Sequence, residues 1–522
     1  MTVTIRPERE LGSFINLDLV ERALSLIIIA AAVVVCCGWA ARVPLFENPD
    51  EPAHFDYAYE IYNAGRLLTA REGLPQFSGG NATVDYLVRA SDVSNIAFHW
   101  DTKVPVGYGT SGYYAALDRT APRVPRDYYR TPRRAVPILV ATYPFGYYAA
   151  VAAWIALWQH FEPGPVEAFF QARFASVAMF ALTLLLMAAL MRELYVDRPT
   201  RIVLLGATAL FPTATFVASS VQPDVFVGLT ITASALALLR FQRKPDWMRT
   251  CLAAAAVGAA VLGKFQYALP VLAAAAFAVI LASQRIAGAK LAARMAVIGG
   301  AAVIAFAWSW SIEYRPAAAL PGIAHPLFSE AAANGPRALA AFINMHLAAA
   351  IDSFYLSGDV ATTWWGKFGW LDAPIRFPGP PLVGAVVMGG TQAWNVVLFV
   401  LFGLSLALVV ERSLRLAGRR RVRSALAVAL GNPAISILLG YDVMMAAIAT
   451  YAPDFGYQAR YWFPVIALST ICAATYAPRF VPGIPARLLL GRLIACWLLF
   501  FSLAAAVGGA YTIELRYYLP DF

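Results

Sequence analysis

The chain has 522 residues, of which 60% are hydrophobic and 14% are charged, and its formal net charge is +10. This composition excludes an ordinary soluble globular protein, because several apolar runs approach the roughly 20 residues that a helix needs to cross a bilayer. The five cysteines all fall inside apolar runs, so the sequence indicates neither a disulfide framework nor a zinc site. No nucleic acid is needed to explain the positive charge, because the basic residues collect between the apolar runs.

Hydropathy predicts an all-α polytopic membrane protein with about 11 transmembrane helices, organised as one domain over residues 1–522. The first apolar run could be mistaken for a signal peptide, but no small-residue cleavage pattern follows it, so we expect a retained helix. The predicted spans lie near residues 22–41, 170–191, 201–219, 224–240, 250–263, 266–283, 295–312, 383–410, 424–450, 461–477 and 488–510.

The basic connections between these spans predict the orientation of the chain. Under this count they all fall on one side, and lysine and arginine near helix ends favour the cytoplasmic side. We therefore expect a multi-pass protein of the bacterial cytoplasmic (inner) membrane with a cytoplasmic N-terminus. The basic connections are residues 192–201, 240–249, 285–294, 412–423 and 479–492.

Residues 143–161 form a further apolar stretch that resembles a span by hydropathy. If it crossed the membrane, every later basic connection would move to the outside, against the charge rule. We therefore expect an interfacial helix in contact with membrane lipids, since its tyrosines and tryptophans suit the headgroup zone. Two long outer loops are then predicted, over residues 42–142 and 313–382.

The first outer loop opens with Asp50, Glu51 and His54, directly after the first span. Asp50 can cap a helix over residues 51–64, with Pro52 in its first turn and Gly65 as its stop. The alternative is that both acids serve only the helix N-terminus. A cap needs one acid, whereas this segment has two acids and a histidine, so we interpret it as a functional site.

Other polar side chains lie at the predicted outer ends of later spans. Asp224 begins one span, where a simple helix cap is the alternative interpretation. Lys264 lies between two spans with little loop around it and favours an anion nearby, although snorkelling to the headgroups is an alternative. Arg460, followed by Tyr461, could bind a phosphate through two hydrogen bonds.

The second outer loop contains the aromatic segment 364–372, which includes Trp365 and Lys367. Such a segment is typical of a loop that stacks on sugars, and anchoring at the membrane interface is the alternative. Asp442 lies inside a predicted span and is a further functional candidate, with no partner identifiable from the sequence.

Acids and cations together at the lipid boundary suit a reaction with a lipid phosphate as leaving group. A sugar on a polyprenyl phosphate needs its leaving anion stabilised, which Lys264 and Arg460 could do. It also needs a carboxylate that deprotonates the acceptor hydroxyl as the hydroxyl attacks the anomeric carbon. One base suffices for a single inverting displacement.

Five short motifs in this order resemble a bacterial membrane protein family catalogued as domain of unknown function 2142. The resemblance covers nearly the whole chain, roughly residues 24–511. Gln222 and Ala459 stand where we would expect Asn and Gly in this family, and neither change removes a charged group. The motifs are residues 49–55, 220–224, 263–264, 368–372 and 458–464.

That family in turn resembles the GT-C glycosyltransferases, including protein O-mannosyltransferases and aminoarabinose transferases. The resemblance implies a GT-C-like fold, a catalytic base at Asp50 or Glu51, a second acid at Asp224 and a polyprenyl-phosphate sugar donor. Glu51 would contact the acceptor or a metal ion, while His54 and Asp224 would orient the other groups. Some members use a divalent ion such as Mg or Mn at these acids and others do not, so the cofactor stays open.

The sequence therefore predicts a glycosyltransferase that acts on a glycan, lipid or protein hydroxyl, with its site facing the periplasm or the exterior. We expect Asp50, Asp224, Lys264 and Arg460 to converge on one outward cavity. The main alternative is a transporter or flippase of lipid-linked sugars, which would need polar residues through several spans. A metalloenzyme is a weaker alternative, because the spacing of Glu51 and His54 matches half of a di-iron site but occurs once.

Overall fold

The computed structural model describes residues 17–69, 82–97, 99, 101–122, 143–158, 164–283, 285–286, 288–314, 367–368, 373–376, 432–451, 459–475, 478 and 483–519. All structural statements concern these residues. The predicted span at 383–410 and most of the predicted outer loop 313–382 lie outside them.

The described chain is all-α apart from one short strand pair. Residues Lys367–Phe368 (β1) and Ala373–Pro374 (β2) pair antiparallel, with Lys367 opposite Pro374. A π-helix covers Trp310–Tyr314, and a 3₁₀-helix covers Ala459–Val465. The α-helices are α1 (Leu17–Arg42), α2 (Glu51–Ala64), α3 (Ala82–Ala90), α4 (Val93–Ile96), α5 (Ser111–Thr120), α6 (Gly146–Leu157), α7 (Pro165–Glu193), α8 (Arg198–Ala209), α9 (Pro212–Ala218), α10 (Asp224–Arg243), α11 (Trp247–Val261), α12 (Phe265–Ala282), α13 (Ala289–Ser309), α14 (Pro433–Tyr451), α15 (Ile466–Thr475) and α16 (Ile484–Tyr517).

Six of the described helices are long and apolar enough to cross a membrane: α1, α7, α10, α12, α13 and α16. Helices α8 and α9 meet at a 58° bend and would make a seventh span if they cross as one broken helix. The helix α11 has 15 residues, or about 22 Å at 1.5 Å per residue, which is less than the bilayer core. The predicted number of about 11 spans is therefore not confirmed.

Helix α6 lies within residues 143–161, the apolar stretch that we predicted to be an interfacial helix and not a transmembrane span. Its 12 residues extend over about 18 Å, too short to span the roughly 30 Å hydrocarbon core. It packs on α2 and α7, and Tyr147 and Tyr148 are fully buried between these helices. These two tyrosines therefore contact protein and not the headgroup zone.

One end of the helix bundle is held together by arginine–carboxylate pairs. The buried Glu21, near the start of α1, accepts hydrogen bonds from Arg192 at 3.0 Å and from Arg201 at 2.5 Å. Glu193 pairs with Arg240 at the end of α10 through an Nε–Oε1 distance of 2.8 Å. These arginines belong to the predicted basic connections, so the connections after α7 and after α10 lie at the same end as the start of α1.

The last helix anchors the layer formed by residues 82–122. Arg516, which is fully buried near the end of α16, donates to the backbone carbonyls of Thr102, at 3.0 Å, and Ile96. Lys103 donates in return to the carbonyl of Leu515 at 2.8 Å, and the N–H of Val104 donates to Tyr517 at 3.1 Å. The end of the chain and the first long loop therefore stabilise each other.

Replacing Arg516 tests this anchor. Arg516→Met keeps most of the side-chain volume but leaves the Thr102 and Ile96 carbonyls without their donor, which costs about 1–3 kcal/mol for a buried polar group. We expect a lower thermal unfolding temperature in detergent and faster proteolysis within residues 82–122. The matched control is Arg22→Met, because Arg22 is exposed on α1. Unchanged proteolysis of Arg516→Met would contradict the anchoring role.

Candidate functional site

Helix α2 has the predicted boundaries, from Glu51 to Ala64. Pro52 lies in its first turn, and Gly65 ends it with φ 65°, its N–H donating to the carbonyls of Ile61 and Tyr62. Asp50 precedes the helix in the left-handed region, with φ 62° and ψ 2°. Within the part of the chain that the structure describes, its side chain makes no capping hydrogen bond, so the expected side-chain cap is wrong. The residue is instead exposed.

Glu51 points away from solvent and forms an ion pair with Arg173 of α7. Arg173 Nε donates to Glu51 Oε1 at 2.9 Å, and Arg173 Nη2 donates to Oε2 at 2.7 Å. Both side chains are 0% exposed. Such a two-point contact between a guanidinium and a carboxylate fixes orientation as well as distance.

The same arginine also binds the chain between α1 and α2. Its Nη1 donates to the carbonyls of Ala40 and Val43, both at 2.7 Å, and its Nη2 donates to the carbonyl of Pro44 at 2.9 Å. With the two bonds to Glu51, all five N–H donors of the guanidinium are used. Arg173 therefore ties the end of α1, the connecting segment and the first residue of α2 to α7.

The oxygens of Glu51 are fully engaged by this network. Besides the two bonds from Arg173, Oε1 accepts from the Val221 N–H at 3.0 Å and Oε2 accepts from Asn48 Nδ2 at 3.3 Å. In the described part of the chain, no group of three or more His, Cys, Asp or Glu side chains is placed to hold a metal ion. These residues therefore do not fit a divalent ion held jointly by Asp50 and Glu51.

Asp224 and Lys264 form a second buried ion pair. Lys264 Nζ donates to Asp224 Oδ1 at 2.6 Å, and the two side chains are 7% and 3% exposed. The ammonium also lies 5.0 Å from the ring centroid of Tyr143 and 5.2 Å from that of Tyr267, which adds cation–π attraction. Burial lowers the pKa of Lys264, but the adjacent Asp224 carboxylate outweighs it, so the net pKa is raised and the side chain stays charged.

Tyr143 lies beside both this ion pair and the first turn of α2. Its ring centroid is 5.0 Å from Lys264 Nζ and 6.1 Å from the ring centroid of His54. Burial is the main reason that the pKa of the Tyr143 phenol is raised, and the Lys264 charge opposes this shift. Tyr143 therefore contacts both the buried cation and the helix that follows Asp50.

His54 lies next to Tyr143, in the first turn of α2 and one helical turn after Asp50. Its Nδ1 is 2.9 Å from the hydroxyl of Tyr148, and its ring centroid is 6.1 Å from that of Tyr143. The backbone N–H of His54 donates to the carbonyl of Asp50 at 3.1 Å. At 3% exposure, His54 supports the aromatic wall of the site and does not open onto solvent.

A glycine brings α6 and the Lys264 turn together. The N–H of Gly146 donates to the carbonyl of Leu262 at 3.0 Å. A Cβ at this position would stand 2.5 Å from that same oxygen, so any larger residue would push the two segments apart. Tyr143 and Lys264 lie within three residues of this close approach, one on each segment.

Three predicted residues are less completely placed. Arg460 lies in the 3₁₀-helix Ala459–Val465, which packs on α10, and Lys367 lies in β1, but both side chains fall outside the described structure. Trp365 lies outside the described residues altogether. Tyr461, beside Arg460, is described, and its carbonyl accepts a hydrogen bond from the Tyr441 hydroxyl.

The structure also identifies partners that the sequence could not give. Asp442 Oδ1 accepts a hydrogen bond from Trp462 Nε1 at 3.1 Å. Arg173 was not singled out from the sequence, although a charge inside the apolar run 170–191 was a usable signal, since such charges are rare without a role.

A second acid pair occupies the middle of α2. Asp56 and Glu60 are 5% and 0% exposed, and within the described residues Asp56 Oδ1 and both oxygens of Glu60 have no hydrogen-bond partner. Burial, with a smaller contribution from the Asp85 charge, raises the pKa of Asp56 to about 8. Burial and the neighbouring Asp56 raise the pKa of Glu60 as well. Burial therefore favours the neutral form of both side chains.

The comparisons with known proteins give one family and several solved structures. The family described as "Predicted membrane protein (DUF2142)" matches residues 33–469. A search of the curated proteins found no match.

The solved structures are similar at low sequence identity. The oligosaccharyltransferase of Archaeoglobus fulgidus in complex with Zn and sulfate has 11% identity and a TM-score of 0.38, covering 94% of this chain and 54% of that one. AglB of the same organism with an inhibitory peptide and a dolichol-phosphate has 11% identity and a TM-score of 0.37, with 95% and 56% covered. ArnT of Cupriavidus metallidurans bound to undecaprenyl phosphate has 13% identity and a TM-score of 0.33, with 92% and 77% covered. The chain thus spans about half the length of the archaeal proteins.

The ion pair of Glu51 and Arg173 predicts a large loss of stability when one partner is removed. Glu51→Gln leaves a buried guanidinium without its counter-charge, which costs about 3–5 kcal/mol. Thermal unfolding in detergent measures this loss. The matched control is Glu514→Gln, because Glu514 makes the same two-point contact with Arg42 at a half-exposed position. If Glu51→Gln unfolds at the native temperature, the network is not structural.

The raised pKa of Asp56 predicts how stability depends on pH. The unfolded chain releases the Asp56 proton near the ordinary pKa of 3.8, whereas the folded chain keeps it up to about 8. Stability therefore falls as the pH rises from about 4 to about 8, and Asp56→Asn should remove this loss. We expect the variant to unfold at a higher temperature than the native protein at pH 8 and to lose that advantage at pH 4. Asp101→Asn, at an exposed acid, is the control; an equal gain there would contradict the assignment.

Proposed function

The chain belongs to the DUF2142 family of predicted membrane proteins, and we propose that it is a membrane glycosyltransferase. In this proposal it transfers a sugar from a polyprenyl-phosphate donor to a hydroxyl of a cell-envelope glycan, a lipid or a protein. The observation that carries the proposal is that Tyr143 contacts both a buried cation, Lys264, and His54 of the helix turn that follows the exposed acid Asp50. A base and a phosphate-binding cation are the two groups that this reaction requires.

The contacts of the three acids favour Asp50 as the base. Glu51 accepts four hydrogen bonds at 0% exposure, and Asp224 is paired with Lys264 at 2.6 Å. Proton abstraction by either would first require a buried ion pair to break. Asp50 is exposed, and the Glu51–Arg173 network fixes the residue that follows it. Its carboxylate therefore has access to an acceptor, and the backbone beside it is held in place.

The proposed reaction is a single displacement. Asp50 takes the proton of the acceptor hydroxyl, while the oxygen of that hydroxyl forms a bond to the anomeric carbon of the sugar. The bond from that carbon to the phosphate oxygen breaks, and its electron pair stays on the phosphate, which leaves as a phosphomonoester. Attack opposite the leaving group inverts the anomeric configuration. Lys264, and Arg460 in this proposal, stabilise the negative charge that develops on the phosphate.

The proposal places the site on the outer face of the cytoplasmic membrane. Helices α1, α7 and α10 each connect the two ends of the bundle: Ala40, Arg173 and Asp224 lie near the site ends of these helices. Glu21, Arg192 and Arg240 lie in the arginine–carboxylate pairs of the opposite end. Because basic helix ends favour the cytoplasm, the Asp50 end would face the periplasm or the exterior.

Asp50→Asn tests the proposed base. Asn keeps the size of the side chain and tolerates the left-handed backbone at φ 62°, so the fold should be retained while the base is lost. We expect transfer from polyprenyl-phosphate sugars by the purified protein to fall by roughly 10²–10⁴-fold, the usual contribution of a general base. Thermal unfolding of the variant serves as the check on its fold.

Asp101→Asn, at an exposed acid, is the matched control and should transfer at the native rate. Native-like transfer by Asp50→Asn would overturn the assignment of the base. Movement of intact lipid-linked sugar across vesicles without transfer would instead favour a flippase.

A further inference from the structure

The Asp224–Lys264 pair leaves the proposed phosphate-binding cation already neutralised. Lys264 donates to Asp224 Oδ1 at 2.6 Å, and its ammonium is flanked by the rings of Tyr143 and Tyr267. Its side chain is only 7% exposed. A phosphate oxygen that reaches this ammonium would therefore have to replace a carboxylate oxygen or share the ammonium with it.

A carboxylate and a phosphate are chemically equivalent partners for an ammonium group, since both offer anionic oxygens to its three N–H donors. An uncompensated buried cation binds an anion strongly, because the anion removes a large desolvation cost. A buried cation that already has a carboxylate partner gains much less from a second anion. The geometry therefore makes Asp224 a candidate for setting how tightly a phosphate binds.

We propose that Asp224 competes with the substrate phosphate for Lys264 and thereby weakens the binding of the phosphomonoester product. This inference rests on the proposed function, because it assigns the phosphate of that reaction to Lys264. In the donor-free protein Asp224 holds the ammonium. When a phosphate enters, Lys264 exchanges or shares partners, and Asp224 recovers the ammonium as the product leaves.

The phosphate gains negative charge in the proposed reaction, and this explains how competition from Asp224 could help turnover. The donor is a phosphodiester with one negative charge, whereas the product is a phosphomonoester whose second pKa lies near 6, so it carries about 1.5–2 negative charges at pH 7. A lone Lys264 would bind the product more tightly than the donor and would slow turnover. The Asp224 carboxylate repels a phosphate more strongly as the charge of the phosphate increases, so Asp224 opposes this preference and acts as a specificity-determining residue.

The test measures phosphate binding without any sugar donor or acceptor. The purified protein in detergent is titrated with inorganic phosphate, with a polyprenyl phosphate and with the corresponding polyprenol, at constant ionic strength, and thermal unfolding is followed. Inorganic phosphate measures binding of the phosphate group alone. Comparing the polyprenyl phosphate with the polyprenol shows how much the phosphate group contributes when it is attached to the lipid. The variants are Asp224→Asn, Lys264→Gln and the double variant.

We expect Asp224→Asn to bind inorganic phosphate and polyprenyl phosphate at least about fivefold more tightly than the native protein, the lower end of typical coupling between sites. Lys264→Gln and the double variant should show a much smaller phosphate-dependent rise in unfolding temperature than Asp224→Asn, because only Arg460 of the proposed cations then remains. The matched control is Asp197→Asn, because Asp197 pairs with a half-exposed arginine, Arg492, at the opposite end of the bundle. Its phosphate affinity should equal that of the native protein.

Unchanged or weaker phosphate binding by folded Asp224→Asn would overturn the competition. If this variant unfolds when isolated without phosphate, recovery of the folded protein by added phosphate supports the proposal. Failure of phosphate to recover it, while the double variant folds, counts against the proposal. If Asp224→Asn binds phosphate more tightly but the native protein transfers no sugar, the proposed function is wrong and the competition at Lys264 stands. If the native protein transfers sugar but Asp224→Asn does not bind phosphate more tightly, the function stands and the competition is wrong.

Discussion

The buried guanidinium of Arg173 is the interaction on which the rest of the site depends. A fully desolvated charge is tolerated only when its donors are satisfied and its charge is compensated, and Arg173 meets both conditions with one carboxylate and three backbone carbonyls. These acceptors come from the end of α1, the connecting segment and the start of α2. The contacts with Arg173 therefore hold the backbone on the N-terminal side of Asp50 and at the residue after it. The active carboxylate that we propose is therefore positioned by a residue 122 positions away from Glu51 in the chain.

The two buried ion pairs have different surroundings, and this difference separates their roles. The Glu51–Arg173 pair is closed, since every donor of the arginine and both oxygens of the glutamate have partners. Among the residues that the structure describes, the Asp224–Lys264 pair has one hydrogen bond and two flanking aromatic rings, so its partners can be exchanged with fewer bonds broken. A closed network suits a structural role, and a pair with a single hydrogen bond suits contact with a charged substrate.

Helix α2 carries site residues in its first turn and buried acids, which lower its stability, in its middle. Its first turn carries Glu51 and His54, whereas its middle buries Asp56 and Glu60 without hydrogen-bond partners among the described residues for most of their carboxyl oxygens. Burial of such acids favours their neutral forms, so the helix loses stability as the solution becomes less acidic. Functional segments often retain strain of this kind when neighbouring contacts compensate for it, and α6 and α7 supply those contacts here.

The sequence by itself determined the features that depend on local chemistry. Apolar runs indicated a helical membrane protein, Pro52 and Gly65 bounded α2, and the basic connections after α7 and after α10 lie at one end of the bundle as predicted. It also identified Asp224 and Lys264 as functional candidates. Only the tertiary structure decided which charges pair, because a pair such as Asp224 and Lys264, 40 residues apart, forms through helix packing and not through local spacing. The same packing buried Glu51 against Arg173 and left Asp50 exposed, a distinction between adjacent carboxylates that no local pattern contains.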